Sequence, residues 1–425
     1  MENGVNMKQE IRFLTFDDSV LIVDLNSLNS TVINKNYLTR DVVENIISVW
    51  SGEKPYYERL TPINTKSNVD VLIIPSFSCN YTCSYCYQEK QKKSVDKMSI
   101  SDIDSIYEFC KRFCEFKEIE LKFGNIEIMG GEPFLLENKA VINKAFQTWP
   151  ESNFIFTTNG TFLLDFIPSF EGKKVNVRVS LDGAEHTHYR RRHTKQRWAY
   201  NRALEGIKHL IEKNIPTLII TVFNPECIEE YSEFFDIMDK LGWRKGAPIN
   251  CAFIPEVDNG SDGIDCETVL KNINAYIELK KMDLRASYVD ARKLVPGGIK
   301  LIEALSLANE GKYNPYRCFA VDSSKLTFMP NGNVKTCISL PDELGCIGTY
   351  KKSISFNYAV IEALMSRRVD KMEKCRECVM RVFCCGGCVA TAADMNGNLT
   401  DCYCNLWENP VFLGKMEEMF RGEKV

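Results

Sequence analysis

No stretch of the 425-residue chain approaches the roughly 18 consecutive apolar residues that a membrane span needs. The opening MENGVNMKQEIR lacks the apolar core of an export signal. A dominant charge is missing as well. Fifty-three Lys plus Arg against 57 Asp plus Glu leave a net −4, which excludes bulk attraction to nucleic acid or to an anionic membrane. No internal repeat or low-complexity tract stands out. These absences lead us to expect a soluble, cytoplasmic protein with neither nucleic acid nor membrane as partner. What remains is ordinary globular composition, 44% hydrophobic and 26% charged, long enough for two or three domains.

Eighteen cysteines break that ordinariness. In a reducing cytosol they stay free for metal or catalysis rather than forming disulfides. Three lie within Cys79–Cys86, and a dense group runs from Cys318 to Cys404. Cys110, Cys114, Cys227, Cys251 and Cys266 are scattered between and read as small buried hydrophobes.

Residues 11–37 read as short strands, followed by a helix RDVVENIISVW with Thr39 as its N-cap and a stop at Ser51-Gly52. Pro55 to Ser67 reads as a linker. From Val69 the pattern becomes alternating strands and helices. Strands are expected at 70–75, 126–130, 154–158, 175–181, 217–223 and 250–255. Helices are expected near 99–117, 137–147, 198–213, 226–241 and 264–282. Six such repeats imply an α/β fold, a partial (β/α)6 TIM-like barrel whose chemistry sits at the C-terminal ends of its strands. After about residue 310 glycines, cysteines and short turns take over. The expected division is a small N-terminal α+β unit over 1–66, the barrel over 67–310, and a cysteine-rich, metal-stabilised C-terminal domain over 311–425.

Cys79-Asn-Tyr-Thr-Cys83-Ser-Tyr-Cys86 directly follows the first barrel strand. Three thiolates at this spacing can wrap one face of a cubane cluster and leave one iron open to a small molecule. Zinc is the alternative, but structural zinc wants four ligands, and no fourth lies nearby.

This C-x3-C-x2-C motif resembles the signature of the radical S-adenosylmethionine superfamily. Gly130-Gly131-Glu132-Pro133, Thr157-Thr158-Asn159-Gly160 and Ser180-Leu181-Asp182-Gly183 resemble further motifs of that family, each after a strand. The resemblance implies a 4Fe–4S cluster on Cys79, Cys83 and Cys86, with S-adenosylmethionine chelated at its open iron. It implies Tyr85 beside the adenine, Gly130, Gly131 and Glu132 at the methionine amino group, and Asn159, Ser180 and Asp182 as further cofactor contacts. Asn224 is a weaker candidate of the same kind. His188-Tyr189-Arg190-Arg191-Arg192 is similar to the family's His-Asp-x-x-Arg, with Tyr189 in place of the acid. Arg192 is then the candidate for the cofactor carboxylate. Arg190 and Arg191 read either as rivals for that role or as a solvated charge run. The chemistry implied is reductive cleavage of the sulfonium to a 5′-deoxyadenosyl radical, fed by an external one-electron reductant such as ferredoxin or flavodoxin.

Cys375-x2-Cys378-x5-Cys384-x3-Cys388 points to metal on its spacing alone, zinc included. Together with Cys318, Cys337 and a last cysteine it resembles the seven-cysteine SPASM domain, which carries two auxiliary 4Fe–4S clusters, for three in all. The resemblance implies Cys375, Cys378, Cys384 and Cys404, with Cys402 as alternative, around one cluster. It implies Cys318, Cys337 and Cys388 around the other, with Cys346 or an open iron completing it. Cys385 is read as a spectator.

Enzymes with this pairing modify peptides or proteins. The resemblance implies an oxidoreductase that matures a ribosomally made (RiPP) precursor, leader plus core, by installing a thioether or C–C crosslink. The first 66 residues resemble part of a leader-recognition element, or are a structural cap on the barrel. An anaerobic sulfatase-maturase-like activity is an alternative, opposed by Ile338 where those enzymes carry an acid. A non-catalytic multi-cluster electron carrier is the alternative from another class.

Overall fold

The computed structural model describes residues 11–15, 19–24, 27–51, 53–62, 68–224, 228–255, a few positions between 271 and 282, 306–316, 319–376, 378 and 385–403. Strands β1 (Ile11–Thr15), β2 (Ser19–Asp24) and β3 (Ser30–Asn34) form an antiparallel sheet in that order. The β2–β3 turn is closed by Asp24, whose carboxylate accepts from the Ser27 hydroxyl at 2.7 Å. Helix α1 (Arg40–Trp50) starts as expected at Thr39, whose hydroxyl accepts from the Val42 amide at 3.3 Å, and ends at Ser51. None of its residues is fully buried.

The segment expected as a linker is structured instead. Tyr56–Arg59 forms a helical turn, and Thr61–Pro62 pairs in parallel with Lys312–Tyr313. Tyr56, 2% exposed, meets the Tyr313 ring edge-on at 5.4 Å. Burial of Tyr56 on the helical turn against Tyr313 on the partner strand outweighs the turn-forming composition that suggested a loop.

The six expected strands are present as β4 (Val69–Ile73), β5 (Phe123–Ile128), β6 (Asn153–Thr158), β7 (Val175–Ser180), β8 (Thr217–Phe223) and β9 (Ile249–Pro255). Each pairs in parallel with the next, giving the open order β9-β8-β7-β6-β5-β4 of a partial barrel. Helices α2 (Ile100–Phe116), α3 (Lys139–Thr148), α4 (Glu185–Arg191), α5 (Ala199–Glu212) and α6 (Ser232–Lys240) follow their strands. The expected helix over 264–282 falls almost wholly outside the described residues. Along β7 and β8 burial alternates: Val175, Val177, Val179, Ile219 and Phe223 are buried, whereas Arg178, Ser180, Ile220 and Val222 are half-buried on the other face. Cys110 and Cys114 on α2, and Cys251 on β9, are buried as expected of small hydrophobes.

The sheet continues past β4. Strand β10 (Lys325–Phe328) adds in parallel beside β4, and β11 (Asn333–Lys335), β12 (Cys346–Thr349) and β13 (Ser355–Phe356) extend it antiparallel. Phe109 of α2 joins the two parts, meeting Phe328 at 5.5 Å and Phe356 at 4.8 Å. Across the seam Glu127 accepts from Arg178 at 2.8 Å and from Lys325. Helices α7 (Tyr358–Met365) and α8 (Val389–Asn396) complete the C-terminal part.

Candidate active site

The loop after β4 carries the three cysteines, all half-buried. It is shaped by the turn after β5. The Gly131 amide donates to the Ser76 carbonyl at 3.1 Å, and the Glu132 amide to the Ser78 carbonyl at 2.8 Å. A Cβ on Gly131 would stand 2.2 Å from the Ser78 carbonyl oxygen and 2.4 Å from that of Phe77. Gly130 has φ +152° and a Cβ there would meet the Ser76 carbonyl at 2.5 Å. Both glycines are therefore required by close backbone approach.

The Glu132 carboxylate, 1% exposed, is turned away from solvent into the turn after β6. It accepts from the Thr158 hydroxyl at 2.6 Å, the Asn159 amide at 2.7 Å and the Phe134 amide at 3.0 Å. Burial pushes its pKa up, and these donors together with the Arg192 charge work against the shift. Glu132 thus welds two motif loops together. Asn159 carries the weld on to the cysteine loop, donating to Asn80 Oδ1 at 2.7 Å and to Cys79 Sγ at 3.9 Å.

From the other side comes α4. The short ladder Thr82–Cys83 with Arg192–His193 lays the arginine segment against the cysteine loop. Arg192, 8% exposed, donates to the Tyr85 hydroxyl at 2.8 Å and lies 3.7 Å from Asp182, which is fully buried. The Tyr85 hydroxyl also bonds Asp182, whose other oxygen accepts from the Val222 amide at 3.0 Å. Burial disfavours the Arg192 charge, but the fields of Tyr85, Cys83 and Asp182 more than offset this and hold its pKa well above the ordinary value. Its Nε is buried and makes no hydrogen bond.

The arginine run resolves into three fates. Arg190 is exposed and pairs with Glu230. Arg191 is buried, stacks on the Tyr85 ring at 4.9 Å and donates to the Val222 carbonyl, so the solvated reading fails for it. Tyr189, standing where the family has an acid, donates to the Arg197 carbonyl at 2.6 Å. His188 is fully buried, and its Nδ1 accepts from the Asp182 amide at 3.3 Å. Burial, and then the Arg192 charge, push its pKa well below 6.5, so it is neutral. This role in seating Asp182 has no signal in the residue pattern. Ser180 ends β7 half-buried beside this group, and Asn224 follows β8.

The thiol Cys79 is pushed up to about 12 by burial and then by the Glu132 charge; that of Cys83 is raised by burial, which Arg192 opposes. The Cys83 thiol bears on Cys79, and that of Cys86 on Cys83. Among the described residues no three His, Cys, Asp or Glu side chains stand close enough to chelate an ion as they are. The donor set nonetheless fits the implied group: three soft sulfur ligands able to lose protons on binding iron, beside a cation with a vacant N–H for a carboxylate. A groove lined by Asn153, Phe170, Lys174 and Pro216 lies at the opposite ends of the strands, away from every motif.

Of the C-terminal cysteines, Cys318, Cys384 and Cys404 lie outside the described residues. Cys337 and Cys388 are within electrostatic reach of one another. The Cys378 amide donates to the Cys375 carbonyl at 3.2 Å, placing those two on one turn. Cys346 opens β12, its thiol donating to the Gly348 carbonyl at 3.2 Å. Cys385 is buried and Cys402 half-buried. Tyr87, directly after the trio, was not singled out by sequence reasoning. Half the side chain is exposed, and its hydroxyl accepts from Gln88 Nε2 at 3.3 Å; burial of the hydroxyl, then the fields of Cys86, Glu127 and Cys337, hold its pKa well above the ordinary value.

Residues 73–238 match the family model described as "Radical SAM superfamily". Over 272 residues the chain is 22% identical to a "Probable GTP 3',8-cyclase" of Methanothermobacter marburgensis, covering 63% of this chain and 83% of that protein. Over 176 residues it is 26% identical to the "Serine-type anaerobic sulfatase-maturating enzyme" of Klebsiella aerogenes, covering 39% of this chain and only 42% of that enzyme. Its fold is similar to that of Streptococcus suis SuiB bound to precursor peptide SuiA, with a TM-score of 0.56 at 13% identity over 95% of this chain and 99% of that one. No helix among the described residues is long and apolar enough to cross a membrane. With cysteine loop, double-glycine turn and Tyr85–Asp182–Arg192 cluster converging inside the matched segment, residues 73–238 carry a radical SAM domain, the domain of a family of enzymes that implies S-adenosylmethionine and a 4Fe–4S cluster as cofactors.

Proposed function

We propose that the chain is a radical SAM peptide maturase that takes hydrogen from a ribosomally made precursor and installs a crosslink, thioether or C–C. Cys79, Cys83 and Cys86 hold the cluster that binds S-adenosylmethionine. When bound, these cofactors supply a 5′-deoxyadenosyl radical able to attack unactivated carbon. Arg192 takes the cofactor carboxylate through its vacant Nε–H, while Asp182 and Tyr85 fix its other edge. Gly130 and Gly131 bring backbone to the methionine end, and Glu132 acts by locking Asn159 and the double-glycine turn to the cysteine loop. Cys375, Cys378, Cys384 and Cys404 hold one auxiliary cluster, and Cys318, Cys337 and Cys388, with Cys346 as the fourth candidate, hold the other. A ferredoxin- or flavodoxin-like reductant supplies the electron.

The observation that carries the peptide reading is the first sheet. β3 pairs on one side with β2, has no strand on its other side among the described residues, and exposes Val32 at 57%. Such a strand edge suits an extended leader peptide added as a fourth strand. The likeness to a chain described as bound to its precursor peptide extends over this unit as well. The sulfatase-maturase alternative is opposed by Ile338, which packs on Leu72, Ile74, Phe77 and Met329 and offers no base.

The test is a precursor peptide encoded beside this chain, incubated with reconstituted, reduced enzyme and followed by mass spectrometry. Modification should remove two hydrogens per crosslink, and Val32→Asp should weaken peptide binding. Unchanged peptide mass alongside normal cofactor cleavage would refute the maturase reading.

A further inference from the structure

Arg367 follows α7 and belongs to none of the motifs. It is 2% exposed and ranks first among the largest fully buried side chains. Its guanidinium reaches four carbonyl oxygens on two separate loops. Nη1 donates to the Leu399 carbonyl at 2.9 Å and to that of Asp401. Nη2 donates to the Gly386 carbonyl at 2.8 Å and, more weakly, to that of Gly387 at 3.5 Å. The first loop runs into Cys402; the second lies between Cys385 and Cys388. The Tyr403 amide ties the same two loops, donating to the Gly386 carbonyl at 3.2 Å.

The second loop is shaped for this contact. Cys385, Gly386 and Gly387 have φ of 45°, 84° and 75°, three left-handed residues in succession. A Cβ on Gly387 would stand 2.4 Å from the Tyr403 carbonyl oxygen, and one on Gly386 2.9 Å from the Met372 sulfur. A planar fork of five N–H donors can collect carbonyls from two directions, which a lysine ammonium on a flexible stem cannot do in the same geometry. Burying a guanidinium is costly, so the backbone bonds it makes are the gain that keeps it there.

We infer that Arg367 is a positioning residue of the proposed auxiliary iron–sulfur sites: it fixes the loop that leads into Cys388 against the loop that leads into Cys402 and so sets where those two thiols stand. The inference rests on the proposed auxiliary clusters, for which the single turn joining Cys375 and Cys378 is the supporting geometry.

The experiment compares iron content and electron paramagnetic resonance of anaerobically reconstituted wild type, Arg367→Met, Arg367→Lys and the neighbouring control Arg368→Lys. Wild type should bind about three clusters and Arg367→Met should fall toward about one. The signal that remains should be the one that changes on adding S-adenosylmethionine. Arg367→Lys, which keeps the cation without the fork, should fall between. Arg368→Lys should keep the full complement. Auxiliary iron retained at wild-type level in Arg367→Met, or lost equally in Arg368→Lys, would overturn the inference. A wild type that itself binds a single cluster would instead remove the auxiliary-cluster reading, a distinguishable failure.

Discussion

At the scale of single residues, the site is a small set of buried charges that satisfy each other. Asp182 receives Tyr85, the Val222 amide and the Arg192 charge while fully buried. Asp182→Asn should cost about 3–5 kcal/mol in denaturant unfolding, because breaking a buried pair strands its partner. It should also weaken S-adenosylmethionine binding measured at equilibrium. His188 gives a pH dependence that comes from burial rather than from an ion pair. Its folded pKa lies well below 6.5, so the unfolded chain takes up a proton that the folded chain refuses. Its contribution to stability is whole above 6.5 and is lost as pH falls below that value, by at most about 1.4 kcal/mol per pH unit. Thermal melts of iron-free protein between about pH 7.5 and 5 should therefore steepen in wild type relative to His188→Asn, which preserves an acceptor for the Asp182 amide and has no titration. The trio and the glycine motifs were legible in the sequence because their spacing is local. Arg191 was not, since nothing in a run of three arginines distinguishes the one whose guanidinium lies on Tyr85, 106 positions away, from the one that faces Glu230.

At the scale of elements, strand ends deliver the motifs and close backbone contacts fix them. Gly131→Ala should abolish assembly of the first cluster, read as iron content and loss of S-adenosylmethionine binding, since a Cβ there collides with two carbonyl oxygens of the cysteine loop. Gly172→Ala is the contrast. Its φ of +68° costs about 1 kcal/mol, but nothing lies within 4 Å of the new methyl, so the cluster should assemble normally. All six barrel strands and the cap of α1 could be read from hydrophobic runs and from Thr39. Thr61–Pro62 could not, because two residues carry no periodicity and their partner, Lys312–Tyr313, lies 251 positions on. The same holds for β10, whose four residues look like loop until they are paired with β4.

At the scale of the whole molecule, one sheet runs from β9 to β13, so the cysteine-rich C-terminal part grows from the edge of the barrel beside the very strand that presents the first cysteine loop. Glu127, held by Arg178 and Lys325, stitches that edge. Sequence alone separated the two cysteine groups but could not show that they share a sheet, because that depends on pairing across some 250 residues. The central claim is that the trio holds a cluster with one iron open to S-adenosylmethionine. Its most direct test is the yield of 5′-deoxyadenosine from reduced, reconstituted protein, comparing wild type, the variant with Cys79, Cys83 and Cys86 all changed to alanine, and Cys251→Ala as a buried control. The account predicts product from wild type and from Cys251→Ala and none from the trio variant; product from the trio variant at the wild-type rate would contradict it.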